Sequence, residues 1–265
     1  MTVALMTDLE GISGVSDITM ITDETSEGYR FACNRLAADA NAAIRGCFDG
    51  GATRVFVIDG HGAAHNLDEK QLDCRAEKVN IEQWIQYTRA GEIDLFMEIG
   101  AHTKAGTING FLDHVQSSTK WFSYTIQGVE YGELAQGGLF MGAFGVPFVL
   151  VSGDDAVCQE AQDLLETVEC ASVKTAIGRN CAKCIENAEA EERIYAAARK
   201  AIKLYNVAKP LRFPMPLDIR VTYTRTDYCD EKMKILQGNP QFTRLDARTI
   251  RRTVNKIESY TDLLI

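Results

Sequence analysis

Short apolar runs at residues 3–7, 55–58, 94–99 and 147–151 carry little of the polar alternation that marks a half-exposed strand. Runs of this kind fit strands buried on both faces of a parallel sheet. Between the first two, residues 27–48 place Leu36, Ala40, Ala43, Ile44 and Cys47 at helical spacing, and Gly50-Gly51 supplies the stop. Residues 121–126 and 129–131 flank Gly128 as a hairpin. Helices are predicted over 133–144, over 155–165 with Asp154 or Asp155 as cap, and over 188–204, with a strand at 172–177. Strands that alternate with helices define an α/β protein with a mostly parallel sheet flanked by helices.

Three of the five prolines cluster between residues 209 and 216. A boundary there divides the chain into an α/β domain (1–208) and a small α+β appendage (209–265). In the appendage, 218–223 alternates as a half-exposed strand and 247–257 reads as an amphipathic helix capped by Asp246.

With 265 residues and 46% hydrophobic content the chain can build a sizeable core. Its net charge of −9 argues against a nucleic-acid partner, which needs a concentrated basic surface. No apolar stretch approaches the ~20 residues that span a bilayer, so no membrane partner is expected. The N-terminus lacks a basic leader segment, so the eight cysteines are expected as reduced thiols in a cytoplasmic protein.

Chemistry concentrates where apolar runs end. Asp8 and Glu10 close the first run, His61 follows the second within Asp59-Gly60-His61-Gly62, and His102 follows the third within Gly100-Ala101-His102. In open α/β sheets the ligand crevice lies beyond the carboxyl ends of the strands. If the strand period continues, Asp8 and Glu10 point to one side, and two adjacent carboxylates repel unless a cation lies between them. Gly11 and Gly14 let the backbone turn tightly around what they hold. Two imidazoles with carboxylates and no clustered thiolates suit zinc, or else manganese or cobalt. His114 lies in a glycine-containing loop free to swing over a substrate, where its near-neutral pKa suits proton transfer.

The remaining patterns have bland readings. His65 is a loop or supporting residue, Glu133 a first-turn glutamate favoured by the helix dipole, and Asp154-Asp155 a helix cap. Cys181 and Cys184 have redox or metal spacing but no second pair, and Arg244, Arg248, Arg251, Arg252 and Lys256 read as a solvated helix face.

Taken in order, Asp8-Leu9-Glu10-Gly11-Ile12-Ser13-Gly14, the His61 and His102 strand ends, His114, Gly132-Glu133-Leu134 and Val151-Ser152-Gly153-Asp154-Asp155 resemble the zinc-dependent D-aminopeptidases of bacterial dipeptide-transport operons. The resemblance implies a two-zinc site made by Asp8, Glu10, His61, His102 and Glu133, with Asp8 bridging and His114 catalytic. It also implies short peptides as substrates, cleaved at N-terminal D-residues, and a homo-oligomer of stacked rings, a decamer, around an inner chamber. Gly137–Met141 and the C-terminal Leu263-Leu264-Ile265 offer apolar patches for such packing. Two rivals stand beside this reading. A two-metal phosphoesterase would use Asp59-x-His61 and Gly153-Asp154-Asp155, yet every histidine precedes residue 115, so its later histidine motifs are missing. A non-catalytic metal-dependent binding protein is the other.

Overall fold

The computed structural model describes residues 1–265 and arranges them around two sheets. In chain order the elements are β1 (Thr2–Thr7), α1 (Thr19–Thr22), α2 (Glu27–Gly50), β2 (Arg54–Asp59), β3 (Glu77–Val79), α3 (Ile81–Arg89), β4 (Leu95–Ala101), β5 (Trp121–Ile126), β6 (Val129–Glu130), α4 (Glu133–Ala143), β7 (Phe148–Asp154), α5 (Asp155–Leu164), β8 (Glu169–Gly178), β9 (Cys181–Cys184), α6 (Asn187–Ala201), β10 (Leu217–Tyr223), α7 (Thr226–Ile235), β11 (Phe242–Arg244) and β12 (Thr249–Val254).

The larger sheet runs β3-β2-β1-β4-β7-β8-β9, parallel throughout except for edge strand β9. From β1 the chain winds outward through β2 and β3, then returns to build β4, β7 and β8 on the other side. The winding reverses between β1 and β4, and a crevice opens at such a switch point beyond the strand ends. Full burial of β4 and β7, of β2 from Val55 onward and of Val3–Leu5 in β1 bears out the reading of their apolar runs. Leu36, Ala40, Ala43, Ile194 and Ala198 of α2 and α6 cover one face, on Val3, Leu5, Val55 and Met97. On the other face Phe56, Phe96 and Phe148 pack against Trp84, Phe140, Ile219 and Val221.

That second face is closed by an antiparallel sheet, β11-β12-β10-β5-β6. Hairpin β5–β6 pairs with β10, so residues 209–265 share their sheet with a segment more than 90 residues earlier (Ile219 opposite Ile126, Val221 opposite Tyr124). The helix expected over 247–257 is instead strand β12. Ile250 and Val254 fit helical spacing but equally a period of two, and pairing along the whole of β10 selects the strand. Asp246 accepts the backbone N–H groups of Arg248 and Thr249 in the turn before it. Buried Arg252 ties the chain end down, donating to the carbonyls of Thr261 and Leu264. Three helices have no counterpart in the sequence reading: the single-turn α1, α3, whose Asn80–Gln83 capping box was legible, and α7.

Candidate metal centre

Asp8 and Glu10 converge, but not by strand alternation. β1 ends at Thr7, and the next residues turn so that Leu9 is fully buried while both carboxylates face the crevice. Close backbone approach fixes this turn: Asp8 N–H donates to Ile99 O at 2.8 Å and Gly11 N–H to Gly100 O at 2.7 Å. A Cβ on Gly11 would lie 2.0 Å from Ala101 O, so only glycine fits there. From below, buried Lys174 donates to the carbonyls of Glu10 (2.8 Å) and Val15 (2.6 Å), and buried Asp39 accepts from Ser13 N–H and Oγ. Burial pulls the Lys174 ammonium down to about 8.

His61 Nδ1 lies 2.9 Å from Asp8 Oδ1 and 3.0 Å from Glu10 Oε2. That nitrogen carries one hydrogen, which aligns with Asp8, so Glu10 Oε2 is buried with no hydrogen bond. The other Asp8 oxygen, Oδ2, faces His102 Nε2 at 3.4 Å, and His102 Nε2 is 3.4 Å from Glu133 Oε1. His102 Nδ1–H donates to Thr103 O at 3.0 Å, which leaves Nε2 directed at the carboxylates. Donor atoms that share one zinc at 2.0–2.2 Å lie ~3–3.5 Å apart, the spacing seen here. Three carboxylates, two imidazoles and an orphaned buried oxygen fit divalent cations well.

The opposed carboxylates also favour the protonated forms of both histidines. Burial pulls the His61 imidazole down, but the Glu10 and Asp8 carboxylates outweigh it and push it up to about 11. His102, also opposed by burial, is held well above its usual range by Glu133 and Asp8. Burial raises Asp8 and Glu133, yet hydrogen bonds from the two histidines and their charge hold both below the carboxylate range.

His114 stacks on His102, ring centroids 4.0 Å apart, and its Nδ1–H donates to Leu112 O at 2.8 Å. Ligand-capable atoms of His102, His114 and Glu133 form one group within 4.8 Å, and those of Asp8, Glu10 and His61 another. The His114 loop is not free to swing, as its sequence suggested. Phe111, Leu112 and Val115 are buried, Phe111 N–H donates to Asp154 Oδ2 (2.6 Å), and Leu112 N–H to Arg179 O (2.7 Å). Asp154 therefore caps α5 through Val157 N–H and anchors this loop with its second oxygen.

Several residues that shape the site gave no usable sequence signal. Gln116, at φ 57°, donates its N–H to Glu133 Oε1 (2.7 Å), and Tyr260 donates to Gln136 Oε1 from the chain's far end. Glu98 was legible as a lone glutamate within the otherwise apolar strand β4. Other candidates lie elsewhere. His65 is exposed, away from the metal-binding groups. Cys181 and Cys184 stand three apart on a strand, so their side chains diverge, and all eight cysteines are free thiols. Asp59 accepts Asn66 N–H, Leu67 N–H and Asn66 Nδ2, which occupies the carboxylate a phosphoesterase would need for metal.

Clustered carboxylates and imidazoles that could hold a metal ion, in a crevice at the switch point of an α/β sheet, suit a metallohydrolase, and comparison with known proteins narrows the class. The model of the peptidase family described as D-aminopeptidase matches residues 1–264, so the chain belongs to that family of peptide hydrolases. A D-aminopeptidase of Bacillus subtilis (strain 168) is 30% identical over 210 residues, 78% of this chain and 76% of the relative. The solved structure of the Zn-dependent D-aminopeptidase DppA from Bacillus subtilis, described as a self-compartmentalizing protease, shares the fold at a TM-score of 0.89. It has 22% identity over 99% of this chain and 95% of its own.

Proposed function

We propose that the chain is an aminopeptidase that holds two zinc ions and releases N-terminal D-residues from short peptides. The observation that carries this is the pairing of Asp8 with both histidines, one oxygen toward His61 and the other toward His102, beside the orphaned Glu10 oxygen. Asp8, Glu10 and His61 would hold one ion; His102 and Glu133, with the second Asp8 oxygen, the other. Zinc there supplies Lewis acidity, lowering the pKa of water to about 7 and polarising a carbonyl.

The chain's own groups do the rest. Gln116 keeps the Glu133 carboxylate turned toward His102. The bond from His114 to Leu112 O fixes the proton on Nδ1, so Nε2 accepts a proton as water adds to the scissile carbon. The same nitrogen delivers it to the departing amine as the C–N bond breaks. A cavity of about 540 Å³ around these groups, with Ile81, Trp84, Phe96 and Leu264 on its apolar side, suits a short peptide.

The eight free thiols support a reducing, cytoplasmic setting. Assembly into stacked rings, a decamer, is proposed on likeness to the self-compartmentalizing relative. A panel of D- and L-aminoacyl nitroanilides, their N-acetylated forms and a phosphodiester tests the reading. Turnover of unblocked D-substrates alone is expected; cleavage of only the phosphodiester would overturn it.

A further inference from the structure

Glu98 is a buried carboxylate that the hydrolytic machinery does not use. It sits on β4 between Met6 of β1 and Val151 of β7, on the same sheet face as Phe96. It is 7% exposed and no hydrogen bond or ion pair reaches it. Its Oε2 points across toward α4, 4.0 Å from where a Cβ on Gly137 would stand, and the missing side chain leaves that space to the cavity. Burial first, then the nearby Asp8 and Glu133 carboxylates, push its acid form up to about 8.

With no donor from the protein, a carboxyl group this deep stays neutral until a cation arrives in the cavity to pair with its charged form. The cavity that Glu98 lines holds no lysine or arginine, and its other three carboxylates, Asp8, Glu10 and Glu133, lie in the metal-binding groups. The aromatic rings of Trp84, Phe96 and Tyr260 line the same cavity, surroundings that favour a desolvated organic cation. In a peptide with a free N-terminus the α-nitrogen lies about 2.5 Å from the first carbonyl carbon. A group that binds this ammonium must therefore adjoin the hydrolytic centre, as Glu98 does.

We propose that Glu98 accepts the free α-ammonium of the substrate, with the rings of Trp84, Phe96 and Tyr260 around it, and so confines cleavage to the first residue. This rests on the aminopeptidase reading and adds the residue that selects the terminus. A blocked amine brings no charge and one donor at most, leaving the carboxylate unpaired.

The test uses two hydroxamates, of D-alanine and of propionic acid, which differ only in the α-amine. Their affinities for the zinc-loaded full-length protein are measured by calorimetry, without reliance on turnover. Wild type is expected to prefer the amine at least 10-fold. Glu98→Gln should keep its zinc and lose most of that preference, and its KM for a D-aminoacyl nitroanilide should rise about 10-fold or more with kcat little changed. Glu98→Asp, which keeps the charge, should restore part of the preference and guards against misfolding of the amide variant. An unchanged affinity ratio in both variants, or zinc loss in both, would overturn the proposal. If wild type turns over no aminoacyl substrate yet shows an amine preference that Glu98→Gln removes, the ammonium site stands and the aminopeptidase reading falls.

Discussion

At the scale of single residues, the proposed zinc ligands and the proposed proton carrier differ in what their free nitrogens face. His102 Nε2 is aimed between two carboxylates, whereas His114 stacks on it with its own Nε2 left for other use. His102→Ala should lose zinc and activity together. His114→Ala should keep zinc and lower kcat by on the order of 10²–10⁴, the range of a positioned acid–base group. Because atoms of His114 lie within ligand range of His102 and Glu133, elemental analysis of both variants decides the matter: equal zinc loss would make His114 a ligand. A second expectation follows from the raised histidines. With His61 at about 11 and His102 also above its usual range, both are protonated at pH 7 in the metal-free protein. Zinc needs them neutral, so binding should release about one to two protons and strengthen as pH rises. Calorimetry in buffers of different ionisation enthalpy measures this, and binding without proton release would contradict it.

At the scale of elements, what matters is how the loop after β1 is held. Gly11 lies against Gly100 and Ala101, and Lys174 grips the carbonyl of Glu10. Gly11→Ala should therefore push Asp8 and Glu10 away from His102. The expected result is a weakened zinc affinity, by 10-fold or more, with a folded circular dichroism spectrum; unaltered affinity would show that the loop does not depend on this contact. The sequence made His61 and His102 legible as candidate ligands because each follows an apolar run that reads as a buried strand, whereas Glu133 read from its own surroundings only as a first-turn glutamate. It did not reveal the supports. Lys174, Asp39 and Gln116 act across 17 to 164 residues of sequence, and no local pattern records such partners. Nor did periodicity resolve residues 249–254, where Ile250 and Val254 satisfy a helix and a strand alike and only the ladder with β10 decides.

For the whole molecule, the chain end, tied to the second sheet through Arg252, completes one wall of the cavity. Tyr260 packs on Trp84 and Phe140, and Leu264 lines the space beneath the metal-binding groups. The apolar segments expected to join subunits are used inside the chain instead: Gly137–Met141 is buried in α4, and Leu263 and Ile265 are core residues. Exposed Ile108, Phe122, Val129 and Ile177 remain for contacts between copies. Light scattering at working concentration should give a mass several times the 29.3 kDa chain, and a stable monomer would contradict the proposed assembly.

The central claim is that this crevice hydrolyses peptides because it holds zinc. Protein stripped by a chelator should not cleave a D-aminoacyl nitroanilide, and zinc titrated back should restore turnover, levelling off near two equivalents per chain. Turnover that survives stripping, or stripped protein that takes up no zinc, would contradict the account.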